Sequence, residues 1–211
     1  EFVLKARELG VPSAGGLYML VRQAVLASEI FLDTKYPDAI TEAVYKKIKT
    51  GKENIVLTGM PGSGKTTIGK LLAQSLDRPY WDTDTLIEEK TGMTPAQIIT
   101  ASGEPAFRKI ESEIICEVAQ KNGCIIATGG GAVLRPDNVR HLRSNGKLFF
   151  LDRPVAQLIP TDDRPLSATK EAIRQRYHER YATYVSTADV IVENNSTPEA
   201  AVQRIEMELL K

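Results

Sequence analysis

The sequence predicts an α/β fold in which helices cover both faces of a parallel sheet. From residue 55 onward, short apolar runs alternate with longer helical stretches. The apolar runs are continuous rather than alternating with polar residues, as is typical of parallel strands buried on both faces. The strand candidates are 54–58, 79–81, 124–128, 147–151 and 189–192. A chain of 211 residues has room for one such domain with a sizeable core and an appendage.

Helices are predicted between these strands and after the last one, and proline in the first turn marks the start of several. Their predicted ranges are 65–76, 84–91, 94–101, 103–121, 136–144, 169–186 and 197–210. Residues 1–50 differ, because they contain two or three helical stretches and no strand. The basic stretch 46–52, which includes Gly51, predicts a connector. We therefore expect a helical extension with a linker at 1–50 and one domain at 51–211.

The composition excludes some classes of function. Lys plus Arg and Asp plus Glu both number 27, and this balance argues against a nucleic-acid-binding protein or one held at a membrane surface by charge. No apolar run approaches the roughly 18 residues of a membrane span, and no signal-peptide pattern is present. Cys116 and Cys124 lack metal-ligand spacing. A cytoplasmic protein is expected, and because the chain begins at Glu1 without methionine, it is expected to be part of a longer one.

Residues 59–66, GMPGSGKT, form a phosphate-binding loop motif of the type GxxxxGK[ST]. An apolar strand candidate precedes the motif and a helix candidate follows it, which is the context that such a loop requires. Glycines allow backbone N–H groups to surround phosphate oxygens at a helix N-terminus. The predicted contacts to a nucleoside triphosphate are Gly62, Ser63, Gly64, Lys65, Thr66 and Thr67, with Thr66 also a ligand of Mg²⁺. The alternative is a glycine-rich turn with a lysine present by chance.

Two carboxylates, Asp82 and Asp84, follow the second strand candidate. Ligands of open parallel sheets bind beyond the carboxyl ends of the strands, so both side chains are expected near the phosphate loop. One carboxylate can hold Mg²⁺, and the other can accept a proton from the attacking hydroxyl of a substrate. The alternative is that Asp84 only caps the helix that follows.

Two further clusters suit a small anionic acceptor. Arg108 carries the planar fork that matches a carboxylate, and Glu111 lies three residues later on the same helical face. The alternative for this pair is an exposed ion pair. Three consecutive glycines, Gly129, Gly130 and Gly131, follow another strand candidate and are expected to leave backbone N–H groups bare for a small polar ligand.

The polar segment 160–167 lies between predicted helices and contains two prolines, as is typical of a closing lid. Its Arg164 is a candidate cation for the charge on the transferring phosphoryl group. The helix at 169–186 contains Arg174, Arg176, His178 and Arg180, and most of this face is expected to be solvated surface.

Residues from about 53 to 211 resemble the shikimate kinase family of the nucleoside-monophosphate-kinase-like P-loop proteins. The resemblance depends on the ordered set GxPGSGKTT, DTD, GExxFRxxE, GGG, RPL and RYxxY. It implies a P-loop three-layer sandwich with a five-stranded parallel sheet and a mobile lid. The implied reaction transfers the γ-phosphate of ATP to the 3-hydroxyl of shikimate, in aromatic amino-acid biosynthesis.

By position, the resemblance implies a role for each motif residue. Lys65 contacts the phosphates, Thr66 and Asp82 serve Mg²⁺, and Arg164 comes from the lid. The implied substrate-binding residues are Asp84, which is also the candidate base, together with Arg108, Gly129, Gly130, Gly131 and Arg180. One position departs from the family, because Gln157 stands where another arginine near the nucleotide is common. The resemblance therefore implies the contacts to the phosphates but not this contact near the nucleotide.

Two other functions share these motifs. A gluconate-like or nucleoside-kinase-like enzyme would share the fold and the loop, but a nucleoside acceptor would not need two carboxylate-binding arginines. A nucleotide-binding module with weak or absent catalysis is the other alternative, and it is motivated by Gln157 and by the acidic lid.

Residues from about 3 to 45 have a resemblance of their own. The segment 15–24, GGLYMLVRQA, resembles the closing part of the shikimate dehydrogenase family, in which the glutamine corresponding to Gln23 contacts shikimate. The catalytic lysine–aspartate pair and the nicotinamide-binding loop of that family are absent from this sequence. The resemblance implies a dehydrogenase–kinase fusion of which this chain has only the kinase activity. The alternative is an unrelated amphipathic helix.

Overall fold

The computed structural model describes residues 2–158 and 170–210, and in these residues the predicted α/β class is confirmed. Five parallel strands form one sheet in the order β2-β3-β1-β4-β5. The strands are β1 (Asn54–Thr58), β2 (Tyr80–Asp82), β3 (Ile125–Ala127), β4 (Gly146–Asp152) and β5 (Val190–Glu193). In the registers beside β1, Ile55 is opposite Ile125 on one side and Lys147 on the other.

Helices connect and flank the strands. In the described part of the chain they are α1 (Phe2–Glu8), α2 (Leu17–Phe31), α3 (Asp38–Lys52), α4 (Lys65–Leu76), α5 (Thr83–Thr91), α6 (Pro95–Ala119), α7 (Pro136–Arg143), α8 (Lys170–Thr187) and α9 (Pro198–Leu210). Short 3₁₀ helices lie at Ala132–Leu134 and Val155–Gln157. None of the helices in this part of the chain combines the length and the apolar character that a bilayer span demands.

The core explains why the strands are apolar throughout. Successive residues of a strand point to opposite faces of a sheet. On β1, Val56 packs in a cluster with residues of α6, α7 and α8, whereas Ile55 and Leu57 pack in a second cluster with residues of α4 and α9. Both faces of the sheet are therefore covered, which makes three layers.

One detail of the helices differs from the sequence prediction, and another agrees with it. The predicted connector at 46–52 is wrong, because these residues complete α3 and the Glu53 N–H bonds to the Lys49 carbonyl. Gly51 lies in the last turn, where the cost of a glycine, about 1 kcal/mol inside a helix, is tolerated. The two helices predicted at 94–101 and 103–121 are confirmed, because α6 consists of two helical segments that meet at Gly103, whose φ of 83° and ψ of 162° are not helical.

The chain divides into two compact units, residues 1–53 and 54–211. In the first unit, α2 packs on α3, and its buried Glu29 accepts a 2.9 Å hydrogen bond from the Tyr36 N–H. This unit leaves large apolar side chains exposed, among them Met19 at 67%, Ile30 at 80% and Phe31 at 86% of their area. Its own core is small, and the sheet belongs wholly to the second unit.

Candidate active site

The phosphate loop, residues 59–66, joins the end of β1 to the start of α4. Gly62 and Gly64 have φ values of 81° and 89°, a region that side-chain-bearing residues rarely adopt. These two glycines turn the chain sharply, so that the N-terminus of α4 faces a cavity. An exposed helix N-terminus with free N–H groups favours an anion. The local geometry is that of a phosphate site.

Lys65 is held at the base of this loop. Its ammonium group is largely buried and donates to the carbonyls of Gly59 and Met60, at 2.9 Å each. The loop carbonyls thus fix the position of the cation, and because Lys65 also lines the cavity, its charge faces the space in which phosphates would lie.

Asn194, which sequence reasoning missed, supports the loop from β5. Its side-chain amide donates a 2.6 Å hydrogen bond to the Ser63 carbonyl, and the residue is only 1% exposed. It follows directly after β5, at the same edge of the sheet as the loop. The sequence signal that was available is a polar residue at the carboxyl end of a strand.

Asp82 caps a helix and also organises the metal side of the site. Its Oδ1 accepts from the Asp84 N–H at 3.0 Å, and its Oδ2 accepts from the Thr66 hydroxyl at 3.0 Å and from the Tyr80 hydroxyl at 2.9 Å. The alternative in which Asp84 is the cap is wrong, because Asp82 is the N-cap of α5. Burial and then the adjacent Asp82 charge raise the pKa of Tyr80, so its phenol keeps the proton that it donates.

Arg108 is held between two glutamates of its own helix. Its Nη1 donates to Glu111 Oε2 at 2.7 Å, while Nε and Nη2 donate to Glu104 Oε1 at 3.1 and 2.8 Å. The alternative of an exposed ion pair between Arg108 and Glu111 is wrong, because their side chains are only 16% and 0% exposed. The pair fixes the orientation of the guanidinium at the cavity wall.

Two carboxylates converge above Gly129. A Cβ atom on this glycine would stand 2.7 Å from Glu111 Oε1 and 2.9 Å from Asp84 Oδ1. Glu111 Oε1 is buried without a hydrogen-bond partner in the described structure. Burial raises the pKa of Glu111, Arg108 opposes this effect, and the Asp84 charge adds to it. Asp84 and Glu111 both line the cavity, so their carboxyl groups stand where they could bond to substrate hydroxyl groups.

The triple glycine has a packing reason rather than a conformational one. A side chain on Gly130 would meet the Pro61 ring at 2.7 Å, and one on Gly131 would overlap the Arg108 guanidinium. The expectation that all three N–H groups are bare is wrong for Gly129, whose N–H donates to the Thr83 hydroxyl at 2.9 Å. The glycines therefore form the floor of the cavity, which we call the glycine floor, and the side chains of Asp84, Glu111 and Arg108 lie directly against it.

Helix α8 closes the other side. Arg180 Nη1 lies 3.4 Å from the Gly130 carbonyl, which also accepts from the Tyr184 hydroxyl. Burial raises the pKa of Tyr184 to about 12. Arg176, expected to lie on solvated surface, instead lines the cavity beside Arg180. The spacing of four residues places both arginines on one face of α8, but no pattern in the sequence shows that this face lies at the cavity.

One cavity of about 320 Å³ brings most of the predicted site together. Its lining includes Gly62, Gly64, Lys65, Thr66, Asp82, Asp84, Arg108, Gly129, Gly130, Gly131 and Arg180. Ser63 is buried beneath the loop and Thr67 is exposed outside the lining, while Arg164 lies outside the described residues. Ile99 and Phe107 add an apolar wall. We call the part formed by Asp84, Arg108, Glu111, Gly129–Gly131 and Arg180 the acceptor pocket.

Comparisons with known proteins agree with this geometry. The family model described as shikimate kinase matches residues 61–210. Shikimate kinase of Synechococcus elongatus is 40% identical over 162 residues, covering 72% of this chain and 84% of that protein. Shikimate kinase of Clostridium botulinum is 42% identical over 158 residues, covering 73% of this chain and 95% of that protein.

Solved structures give the same result. The structure of shikimate kinase from Acinetobacter baumannii in complex with shikimate superimposes with a TM-score of 0.72 at 33% identity. The match covers 78% of this chain and 97% of that one. Shikimate kinase from Bacteroides thetaiotaomicron gives a TM-score of 0.69 at 32% identity, covering 75% and 99%. The chain therefore belongs to the shikimate kinase family.

Proposed function

We propose that this chain transfers the γ-phosphate of ATP to the 3-hydroxyl of shikimate, giving shikimate 3-phosphate and ADP. The observation that carries the proposal is one cavity that joins a phosphate loop to an arginine-lined acceptor pocket. A small hydroxylated acid needs both arginines for its carboxylate and acceptor oxygens for its hydroxyls. The shikimate bound in the related Acinetobacter structure supports the same acceptor.

Residues of the phosphate loop and α4 hold the triphosphate in this mechanism. The backbone N–H groups of residues 62–67 surround the β- and γ-phosphates, and the Lys65 ammonium leaves the Gly59 and Met60 carbonyls for phosphate oxygens. Phosphoryl transfer depends mainly on positioning and on electrostatic stabilisation of the equatorial oxygens. Lys65 supplies positive charge for that purpose.

Thr66 and Asp82 would be the protein ligands of a magnesium ion, and their side chains suit this role. Their oxygens lie 3.0 Å apart, both residues line the cavity, and carboxylate and hydroxyl oxygens are ligands that suit Mg²⁺. Mg²⁺ is usually held by one or two protein oxygens together with phosphates and water, so no larger cage is needed. The described residues indeed contain no cluster of three or more His, Cys, Asp or Glu side chains that could enclose a metal. When bound, the ion would neutralise charge on the β- and γ-phosphates.

Asp84 and the arginines act on the acceptor. We assign to Asp84 the binding of the substrate hydroxyls and the acceptance of the proton from the 3-hydroxyl as the new P–O bond forms. Arg108, held by Glu104 and Glu111, and Arg180 bind the carboxylate at the other end. The glycine floor at 129–131 lets the ring approach closely. Arg164, outside the described residues, remains the predicted lid cation.

A coupled ADP-release assay tests the function. We expect ATP turnover to be stimulated by shikimate and not by gluconate or by nucleoside monophosphates. Gluconate stimulation without shikimate stimulation would instead establish the other small-molecule kinase. Binding of ATP without phosphoryl transfer to any of them would establish the weak nucleotide-binding module. Phosphorus NMR of the product identifies the hydroxyl that receives the phosphate.

We also propose that residues 51–211 are the kinase domain and that residues 3–45 derive from a shikimate dehydrogenase in a fusion protein. The support is the resemblance of the first unit to that family's last helices, together with its exposed apolar side chains, which suit a segment that packs on a larger domain. We expect no NADPH-dependent reduction of 3-dehydroshikimate by this chain. Reading the gene upstream of the Glu1 codon is the direct test, and an unrelated sequence there would refute the fusion.

The cytoplasm is the proposed location. ATP and Mg²⁺ are available there, and both Cys116 and Cys124 are free thiols, as expected in a reducing compartment. Fractionation of the native host, with the kinase activity assayed in each fraction, tests this proposal.

A further inference from the structure

Arg176 is a third arginine at the cavity, besides Arg108 and Arg180. It lies on α8 one turn before Arg180 and is half-buried, and both side chains line the cavity. Residues four apart on a helix share a face, so the two guanidinium groups are neighbours. Arg174, two residues earlier on the same helix, is exposed and does not line the cavity.

The three arginines differ in how their charges are balanced. Arg108 donates to two carboxylates, whereas the hydrogen bond of Arg180 goes to the neutral Gly130 carbonyl at 3.4 Å. Arg176 has no hydrogen bond and no ion pair within 4 Å among the residues that the structure describes. Neither Arg176 nor Arg180 therefore forms an ion pair with a carboxylate in the part of the chain that the structure describes.

The proximity of the two arginines is unfavourable for the folded chain. Like charges four residues apart on a helix repel each other. Burial and then the Arg180 charge lower the pKa of Arg176, while the charges of Glu104 and Glu179 act in the opposite direction. The charges of Arg180 and Arg176 also lower the pKa of Glu104, whose main partner is Arg108, so all three arginines act on the same region.

We propose that Arg176 is a specificity-determining residue that binds the substrate carboxylate together with Arg180, and this proposal rests on the shikimate kinase function proposed above. The substrate carboxylate supplies the direct anionic partner that neither of these two arginines has among the described residues. Arg108, which two glutamates hold in place, is then the third arginine beside the substrate carboxylate. The contact exists equally before and during phosphoryl transfer, so it affects the binding of the acceptor rather than the chemical step.

The test compares Arg176→Leu and Arg176→Lys with the matched control Arg174→Leu, which removes the same charge from the exposed side of α8. Each variant is assayed with shikimate and with its carboxamide, which keeps the hydroxyls and lacks the negative charge. For Arg176→Leu we expect the KM for shikimate to rise about ten-fold or more, with kcat and the KM for ATP nearly unchanged. Arg176→Lys should recover part of this loss, and Arg174→Leu should resemble wild type.

The carboxamide separates carboxylate recognition from other effects. Arg176→Leu should have no additional effect on the carboxamide, because the contact is already absent there. An equal loss with both substrates, a loss confined to kcat, or no difference from Arg174→Leu would overturn the proposal. Thermal melting should show Arg176→Leu to be as stable as wild type or slightly more stable, since a like-charge pair has been removed.

A calorimetric titration of shikimate into wild type and Arg176→Leu keeps this proposal distinct from the proposed function. Wild type that binds shikimate without phosphorylating it would contradict the kinase function, while weaker binding by Arg176→Leu would still support the carboxylate contact. Wild type that neither binds nor phosphorylates shikimate would overturn both proposals.

Discussion

The phosphate loop and the acceptor pocket share one cavity, yet they are built in different ways. The loop is a single segment, 59–66, whose glycines, lysine and following helix make an anion site almost without help from the rest of the chain. The acceptor pocket combines side chains from α5, α6, the loop after β3, and α8, which are separated by up to about a hundred residues of sequence.

This difference affects how each region responds to change. A contiguous loop depends on backbone conformation, so it tolerates distant substitutions unless they remove a direct support. A pocket assembled from four segments depends on packing between them, so a single methyl group in the wrong place displaces several functional groups at once. Four substitutions test this contrast, from the largest expected effect to the smallest.

The chemical role of the pocket is tested by Asp84→Asn. Asparagine keeps the size of the side chain but cannot accept the proton of the 3-hydroxyl, so we expect kcat to fall by about 10²–10⁴-fold. The affinity for ATP should change little, because the loop does not depend on this carboxylate. The exposed Asp137→Asn is the control. Steady-state kinetics with ATP titration would contradict the assignment if kcat were unchanged or if ATP binding were lost as well.

The packing of the pocket is tested by Gly129→Ala. The new methyl group would stand within 3 Å of both Asp84 Oδ1 and Glu111 Oε1, and such displacement of reacting groups costs about 100-fold in kcat/KM for shikimate. The KM for ATP should stay within a few-fold of wild type. Gly51→Ala, in open space on α3, is the control. An equal loss of kcat/KM for shikimate and for ATP would show that the loop and the pocket do not differ in this respect.

The support of the loop is tested by Asn194→Ala. This change leaves the buried Ser63 carbonyl without its partner, at a cost of about 1–3 kcal/mol in the free energy of unfolding. We expect a lower melting temperature and a KM for ATP that is raised several-fold, with the KM for shikimate unchanged. Asn195→Ala, the exposed neighbour, should do neither. A rise in the KM for shikimate alone would show that the loop and the pocket are coupled.

The smallest effect concerns Glu111 and the pH dependence of stability. Because its folded-state pKa is raised above the ordinary 4.5, the folded chain holds this proton more tightly than the unfolded chain does. The corresponding stability is present below about pH 4.5 and is lost as the pH rises through the folded pKa. Glu111→Gln has no such loss, so its melting temperature relative to wild type should increase from about pH 4.5 to about pH 7.

The control for this experiment is Glu113→Gln, on the same helix and exposed. It should show no pH-dependent difference from wild type over the same range. If the melting temperature of Glu111→Gln relative to wild type fell as the pH rose, the effect of the Arg108 charge would outweigh that of burial. The pKa of Glu111 would then be lowered rather than raised.

The secondary structure was largely predictable from local pattern. Continuous apolar runs gave all five strands, and the loop motif gave the N-terminus of α4 at Lys65. The connector at 46–52 was the main error. The lysines and Gly51 made this segment look like a polar linker. Lysine and isoleucine are nevertheless adequate helix formers, and a single glycine does not prevent α3 from continuing to Lys52.

The candidate site was predictable in membership but not in detail. Only one residue separates Asp82 from Asp84 in the sequence, so their roles could not be told apart there. The structure shows that Asp82 caps α5 and accepts a hydrogen bond from the Thr66 hydroxyl, while Asp84 lies against the glycine floor. Tyr80, Asn194 and Arg176 carry no motif, so their positions depend on which segments the fold brings together.

The sequence by itself determined the α/β class, the phosphate loop and the types of residue that would bind a small hydroxylated acid. These features depend on strand periodicity, glycine dihedral freedom and side-chain chemistry, all of which act over a few residues. The tertiary structure alone decided the burial of the Arg108–Glu111 pair, the necessity of glycine beneath Asp84, and the place of Arg176 at the cavity. These features depend on distances between segments far apart in the chain, which local patterns do not encode.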